Sequence, residues 1–407
     1  MSRGMKALVQ SGIAAAVLIA AGLASHGQSV AVSRLRDQAF ALEQQGRNTE
    51  AEEAWRGILK SEPGDAEAWA HLGFLEARQG RYREAISLYR RAAALKPSMP
   101  DLKLNLGLAL FKAGELKEAT RVFAPLLKKT PPVSPDAQRL RILLGMAYYG
   151  SGDYAAAIPL LKDAMARDPQ DLPYRLVLAQ SCLRAEQYPC VLDVYRQILA
   201  LNAESAEADM LAGEALDGMQ DHAGAIRQFR AAVQADPKQP EVHFGLGYLL
   251  WRQSQYEEAA RQFQAELDNV PEDAEAVAYL ADCERQLNHP EMARPLAEKA
   301  IRMNPRSAMP YMDLGILDSD AGRTAGALRE FRMAAQLEPA SVQVHWRLAR
   351  LYQTMGKQQQ AKAEFDLTRK LNHAADETVA RELDAAQARN AAQQKAAAAS
   401  PNGPQQQ

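Results

Sequence analysis

The sequence predicts an all-α chain, a solenoid of about ten helix-turn-helix hairpins of 34 residues each. Three recurrences predict it. Pro63, Pro97 and Pro131 are spaced by 34, Pro169 follows after 38, Pro237 lies two periods on, and Pro271, Pro305 and Pro339 each follow by 34. A small residue recurs in each first helix, as Ala39, Gly73, Gly107, Gly145, Ala179, Gly213, Gly247, Ala281, Gly315 and Ala349. The second helix repeats another small residue followed four positions later by a large one: Ala51 and Trp55, Ala85 and Tyr89, Ala119 and Phe123, Ala225 and Phe229, Ala259 and Phe263, Ala327 and Phe331. Four residues is one turn on one helix face. The small positions therefore let paired helices approach, and the large side chains fill the gaps beside them.

Taken in order, residues 1–27 read as a signal peptide or an N-terminal anchor. Arg3 and Lys6 precede an uncharged apolar run from Ala7 to Ala24, the arrangement of an export segment. The run also approaches the roughly 17 to 25 residues that span a bilayer. Either form places the rest outside the cytoplasm, periplasmic or in the cell envelope, with inner-membrane anchoring facing the periplasm as the alternative. Repeats start near 32, 66, 100, 138, 172, 206, 240, 274, 308 and 342. The first is degenerate, with Leu35 and Ala39 at its landmark positions. Pro100 and Pro240 are expected in the first turn of a helix, where a missing N–H costs nothing. The four residues from Ser134 to Ala137 are read as a polar bulge. Cys182 and Cys190 flank the inter-helix turn at Glu186, so antiparallel helices would oppose them and a disulfide is a candidate. Residues 376–396 keep a helical pattern suited to capping the last open face, and 397–407 are too polar and too rich in Pro and Gly to order themselves.

These landmarks resemble the tetratricopeptide-repeat (TPR) family, whose period and Trp, Leu-Gly, Ala, aromatic and Pro positions are those just named. The resemblance covers 32–375. It implies a right-handed solenoid of antiparallel helix pairs, with each first helix lining a concave groove that usually holds another protein. Val191, Ala203, Ala297 and His373 depart from the pattern and mark looser copies.

Composition narrows the function further. Formal charge is −2 and the sequence pI is near 6.4, against a general phosphate-backbone binder, so no nucleic-acid partner is expected. The segments outside the ten copies are too short for a catalytic domain. No H-E-x-x-H, G-x-x-x-x-G-K, C-x-x-C or G-x-S-x-G motif occurs. Gly245 and Gly247 lie inside a first helix rather than in a dinucleotide turn, and the histidines fall in different copies. Neither an enzyme, a cofactor nor a metal site is expected.

What remains is the groove. Under the family geometry, Phe40, Phe74, Phe111, Tyr149, Phe244, Tyr248, Trp251, Tyr279 and Trp346 line it. Phe244, Tyr248 and Trp251 form one stripe by their spacing of four and three. Glu207, Glu214, Asp217, Glu241, Glu275 and Asp282 give the later copies an acidic rim, which would steer a basic partner segment. The reading is a protein-binding scaffold or adaptor of the envelope. The alternative is a carrier for a glycan strand or lipid-like ligand in the same groove. A membrane contact is expected only through the N-terminal segment if it is retained.

Overall fold

The structure, a computed structural model, describes residues 31–166, 172–201 and 205–398. The export segment over 1–27, Pro169, Ala203 and the tail beyond 398 lie outside the described residues. The chain divides into two compact units, Met1–Ala203 and Glu204–Gln407. All regular structure among the described residues is helical. Successive helices pack in series within each unit, which makes the architecture an all-α solenoid.

The first unit holds α1 (31–44), α2 (Asn48–Ser61), α3 (Ala66–Arg78), α4 (Tyr82–Leu95), α5 (Leu102–Lys112), α6 (Leu116–Lys129), α7 (Pro135–Gly150), α8 (Tyr154–Met165), α9 (Leu172–Arg184) and α10 (Tyr188–Ala200). The second holds α11 (Ala206–Gly218), α12 (His222–Ala235), α13 (Val242–Arg252), α14 (Tyr256–Asn269), α15 (Ala274–Gln286), α16 (Pro290–Met303), α17 (Ala308–Asp320), α18 (Thr324–Leu337), α19 (Val342–Thr354) and α20 (Gln358–Ala398). Odd-numbered helices are the first of each hairpin.

The small residue of each first helix proves to be a socket for the large residue of the second. A Cβ on Gly73 would lie 2.9 Å from the Tyr89 ring, on Gly107 2.4 Å from Phe123, on Gly213 2.6 Å from Phe229 and on Gly315 2.5 Å from Phe331. The large side chain therefore does more than fill a gap beside the small positions: the Tyr89 ring lies directly against Gly73. Gly245 does the same work between hairpins, since its Cβ would meet Phe229 of the preceding copy at 2.3 Å. The rings so held, with Trp55 and Phe263, are among the most buried side chains. Gly107→Ala is accordingly expected to cost about 1–2 kcal/mol, because overpacking of roughly 1–3 kcal/mol exceeds the roughly 1 kcal/mol gained in helix propensity. Urea unfolding checks this, and an unchanged or raised midpoint would contradict the socket.

The turn inside each hairpin passes through one residue of positive φ. Gly80 at +76° is one of six glycines there, while Glu186, Gln220, Ser254 and Asn288 adopt the same left-handed conformation with φ between 55° and 67°. A side chain there is disfavoured, so these turns are held by the helices on either side.

Three local expectations are corrected. The segment Ser134–Ala137 is no bulge: Ser134 caps α7, its Oγ accepting from Ala137 N at 3.1 Å, and Pro135 opens the helix, lengthening α7 to 16 residues. A serine cap followed by proline is a helix start. Pro100 and Pro240 precede left-handed Asp101 and Glu241, and α5 and α13 are shortened to 11 residues. Residues 376–396 do not form a separate capping helix but continue α20, which runs unbroken for 41 residues. No Gly or Pro interrupts that stretch. Among the described residues no helix is long and apolar enough to cross a membrane.

Candidate functional site

In the second unit, Val242–Arg252 presents Phe244 and Tyr248 on one face, and Met210, Glu214 and Asp217 come from α11 beside it. Together with Phe229, Glu241, Gly245 and Leu249 they line a cleft of about 240 Å³. Phe244 stands on one side because Gly245 admits the Phe229 ring behind it. The buried Glu266 of α14 accepts from Phe244 N at 3.1 Å, satisfying a helix N-terminal donor that Glu241 does not cap. Asp217 is half-buried, paired with Arg252 Nη1 at 2.6 Å and with His222 Nδ1 at 2.7 Å. Arg252 also rests 5.7 Å from the centre of the Tyr248 ring.

The aromatic stripe is consolidated from behind. Tyr279 of α15 meets Phe244, Tyr248 and Trp251 edge-on at 5.7, 5.6 and 5.1 Å and stacks on Phe263 at 5.3 Å. Burial pushes its hydroxyl up to about 12. Trp251 Nε1 donates to Asp282 Oδ2 at 2.6 Å. Phe244, Tyr248, Trp251 and Tyr279 are all half-buried, a rigid cluster with one side toward solvent.

Asp282 is corrected from the acidic rim to the interior. It is 2% exposed and is held by Trp251 and by Arg285, which also donates from Nε to Asp313 Oδ1 at 2.7 Å. Asp313 is fully buried, and its Oδ2 has no hydrogen-bond partner. Burial first, then Asp282, pushes the Asp313 carboxyl well above the usual range, against the pull of Arg285. Glu207, Glu214, Glu241 and Glu275 are exposed. The sequence signal for the buried network was the offset of 31 residues, one period less three, that separates Trp251 from Asp282 and likewise Tyr149 from Gln180.

The other groove residues divide. Phe40 is packed edge-on against Trp55 at 5.1 Å and His71 at 4.7 Å, and Phe111 packs on the core around Phe123. Tyr149 lies against Tyr154 and its hydroxyl bonds Gln180. Phe74, 40% exposed, lies under Arg78, and Trp346 is 42% exposed. Cys182 and Cys190 are joined in a disulfide, with Cα atoms 5.8 Å apart, between α9 and α10. Cys283 is free and buried, its thiol raised by burial and by Asp282. Among the described residues no group of three His, Cys, Asp or Glu side chains is placed to hold a metal ion.

Serial hairpins whose rings sit in glycine sockets, with half-buried aromatics and carboxylates on a first-helix face, define a helical-repeat protein. Tetratricopeptide-repeat profiles match it, one over 76–144 and 148–215 and another over 36–100 and 244–308. The chain belongs to the tetratricopeptide-repeat family. Proteins of this family are generally scaffolds for protein–protein interaction and are typically not enzymes.

Among curated proteins, FlbA of Caulobacter vibrioides is 30% identical over 119 residues, 29% of this chain and 20% of FlbA. The chain thus spans about a fifth of that relative's length. Among solved structures, PilF of Pseudomonas aeruginosa is 19% identical with a TM-score of 0.43, covering 48% of this chain and 89% of PilF. A chain of the APC/C hetero-tetramer Cut9-Hcn1 is 12% identical with a TM-score of 0.42, covering 82% of this chain and 73% of that one.

Proposed function

We propose that this chain is a non-enzymatic protein-binding scaffold of the cell envelope, holding a partner segment on the first-helix face of the second unit. The observation that carries the reading is the cleft beside Phe244 and Tyr248, where aromatic faces and the carboxylates of Glu214 and Glu241 share one wall. Such a wall offers apolar area and directional acceptors together, the mixture typical of interface anchors. The envelope assignment draws on Arg3, Lys6 and the apolar run that follows, and the bonded Cys182 and Cys190 suit an oxidising compartment.

Tyr248 is the residue to test. Trp251→Ala would also strip a donor from buried Asp282, mixing lost contact with lost stability. Tyr248→Ala is expected to weaken partner capture from the envelope fraction by about tenfold at unchanged helicity, the scale of an interface anchor. Equal capture by variant and wild type would remove the site, and a co-purifying lipid or glycan in place of protein would replace the reading.

A further inference from the structure

The two carboxyls behind the aromatic wall are unequally served by donors. Asp282 has one on each oxygen, Arg285 Nη2 on Oδ1 and Trp251 Nε1 on Oδ2 at 2.6 Å. Asp313 receives Arg285 Nε on Oδ1 at 2.7 Å, and no donor reaches its buried Oδ2. Besides Arg285, the group within hydrogen-bonding reach of the Asp313 carboxyl is Asp282. Ionised carboxylates only accept, so a bond between the two needs a proton on one of them. The donors on Asp282 keep it the anion, and the proton falls to Asp313.

The count of charges calls for the same proton. Asp282 is 2% exposed and Asp313 not at all. With one proton the site holds one cation and one anion; without it, a net negative charge stands where no water solvates it. The charges acting on Asp313 are those of Asp282 and Arg285, both on α15. Elsewhere around α17, Arg294 of α16 and Arg323 before α18 are committed to Asp318, and Arg329 of α18 to Glu330. Arg347 of α19 feels Arg285 and Asp320. Beside Asp282, burial keeps Cys283 a thiol and Tyr279 a phenol, and α13 brings the neutral indole of Trp251.

That indole carries the state of the pair to the cleft. It lies 6.0 Å from the Tyr248 ring and 5.1 Å from Tyr279, and Tyr248 lines the cleft. The helices follow the same path, α13 packing on α15 and α15 on α17. Two carboxylates that both ionise repel each other, and Asp282 cannot shift without disturbing its bonds to Trp251 and Arg285.

We propose that Asp282 and Asp313 form a proton-operated latch on the aromatic wall: with one proton between them, α13, α15 and α17 are tied through Trp251 and Arg285, and loss of that proton to water frees the Trp251 ring and loosens Tyr248 beside it. The latch is closed at low pH and opens as pH rises, the same sense in which proton binding stabilises the folded state. Its use, a weaker hold on a partner segment as pH rises, rests on the scaffold reading above; the latch itself does not.

The test needs no partner. The full-length chain is labelled with 5-fluorotryptophan and followed by fluorine NMR from about pH 4 to about pH 9. Its four tryptophans give four signals, and that of Trp251 is the one missing from Trp251→Phe. The Trp251 signal is expected to shift over a range lying above the ordinary aspartate value of about 3.9, and the shift is expected to be lost in Asp313→Asn, whose amide supplies an N–H without ionising. Far-UV circular dichroism confirms equal helicity. A shift driven by a neighbouring histidine such as His222, bonded to Asp217, would appear equally in both proteins. A Trp251 signal that stays fixed in wild type, or that moves equally in Asp313→Asn, overturns the latch and leaves the scaffold standing. Should Asp313→Asn fail to fold, the wild-type titration still decides: no signal moving above the ordinary aspartate range ends the proposal. Equal partner capture by Tyr248→Ala would remove the scaffold site and leave the latch untouched.

Discussion

Arg285→Met is expected to destabilise the second unit by about 3–5 kcal/mol, because it leaves two buried carboxylates without their cation. Arg285 is the only group seen bridging Asp282 and Asp313 among the described residues, and both carboxylates are almost fully buried. Methionine preserves much of the volume, so the loss reports charge rather than packing. The same network sets a pH dependence whose sign follows from Asp313. Its folded-state value is raised, by burial first and by Asp282 second, so the folded state holds that proton more tightly than the unfolded chain. The resulting stabilisation is complete below the unfolded value of about 3.9 and is lost as pH rises through the folded value. Asp313→Asn cannot ionise, and its oxygen still accepts from Arg285 Nε. Its stability relative to wild type is therefore expected to grow as pH rises above about 4. Thermal melts across a pH series decide this. Parallel curves for the two proteins would show that Asp313 does not titrate as placed, and an Arg285→Met protein as stable as wild type would dismiss the network.

Trp55→Ala is expected to cost about 3–5 kcal/mol, the range for emptying a large aromatic site in a core. Trp55 is completely buried, stacked on His71 at 4.5 Å, met edge-on by Phe40, and its Nε1 donates to Glu43. It closes the first hairpin against the second. In a stack held by nearest-neighbour contacts the damage stays near its origin. Hydrogen exchange should lose protection over 31–97 and keep it progressively better toward α7. Uniform loss across the first unit would contradict that locality.

Much of the fold was legible because its determinants recur in fixed phase. The prolines mark helix ends, and the small residues and rings mark the contact faces. The sockets were less legible: spacing identified Gly73, Ala85 and Tyr89 as a set, but only the packed hairpin shows that the ring meets Gly73. The insertion differs from the expected bulge because Ser134 and Pro135, polar and helix-breaking in isolation, together begin a helix. In the candidate site, the spacing of Phe244 and Tyr248 along one helix placed them on one face. The fate of the charges was not readable that way. Glu275 and Asp282 are both acidic residues of α15, yet one is exposed and the other is enclosed by Trp251, Arg285 and the neighbouring helix.

By itself the amino-acid order determined that this chain is helical, that it repeats, and where each hairpin turns, since these depend on contacts within a few turns of one helix pair. Tertiary structure alone decided which carboxylates face water, which are enclosed, and which aromatics stand beside a cleft. Those properties are set between copies, by side chains about one period apart whose burial depends on what the adjacent hairpin brings, and a repeat pattern is silent about the residues in which its copies differ.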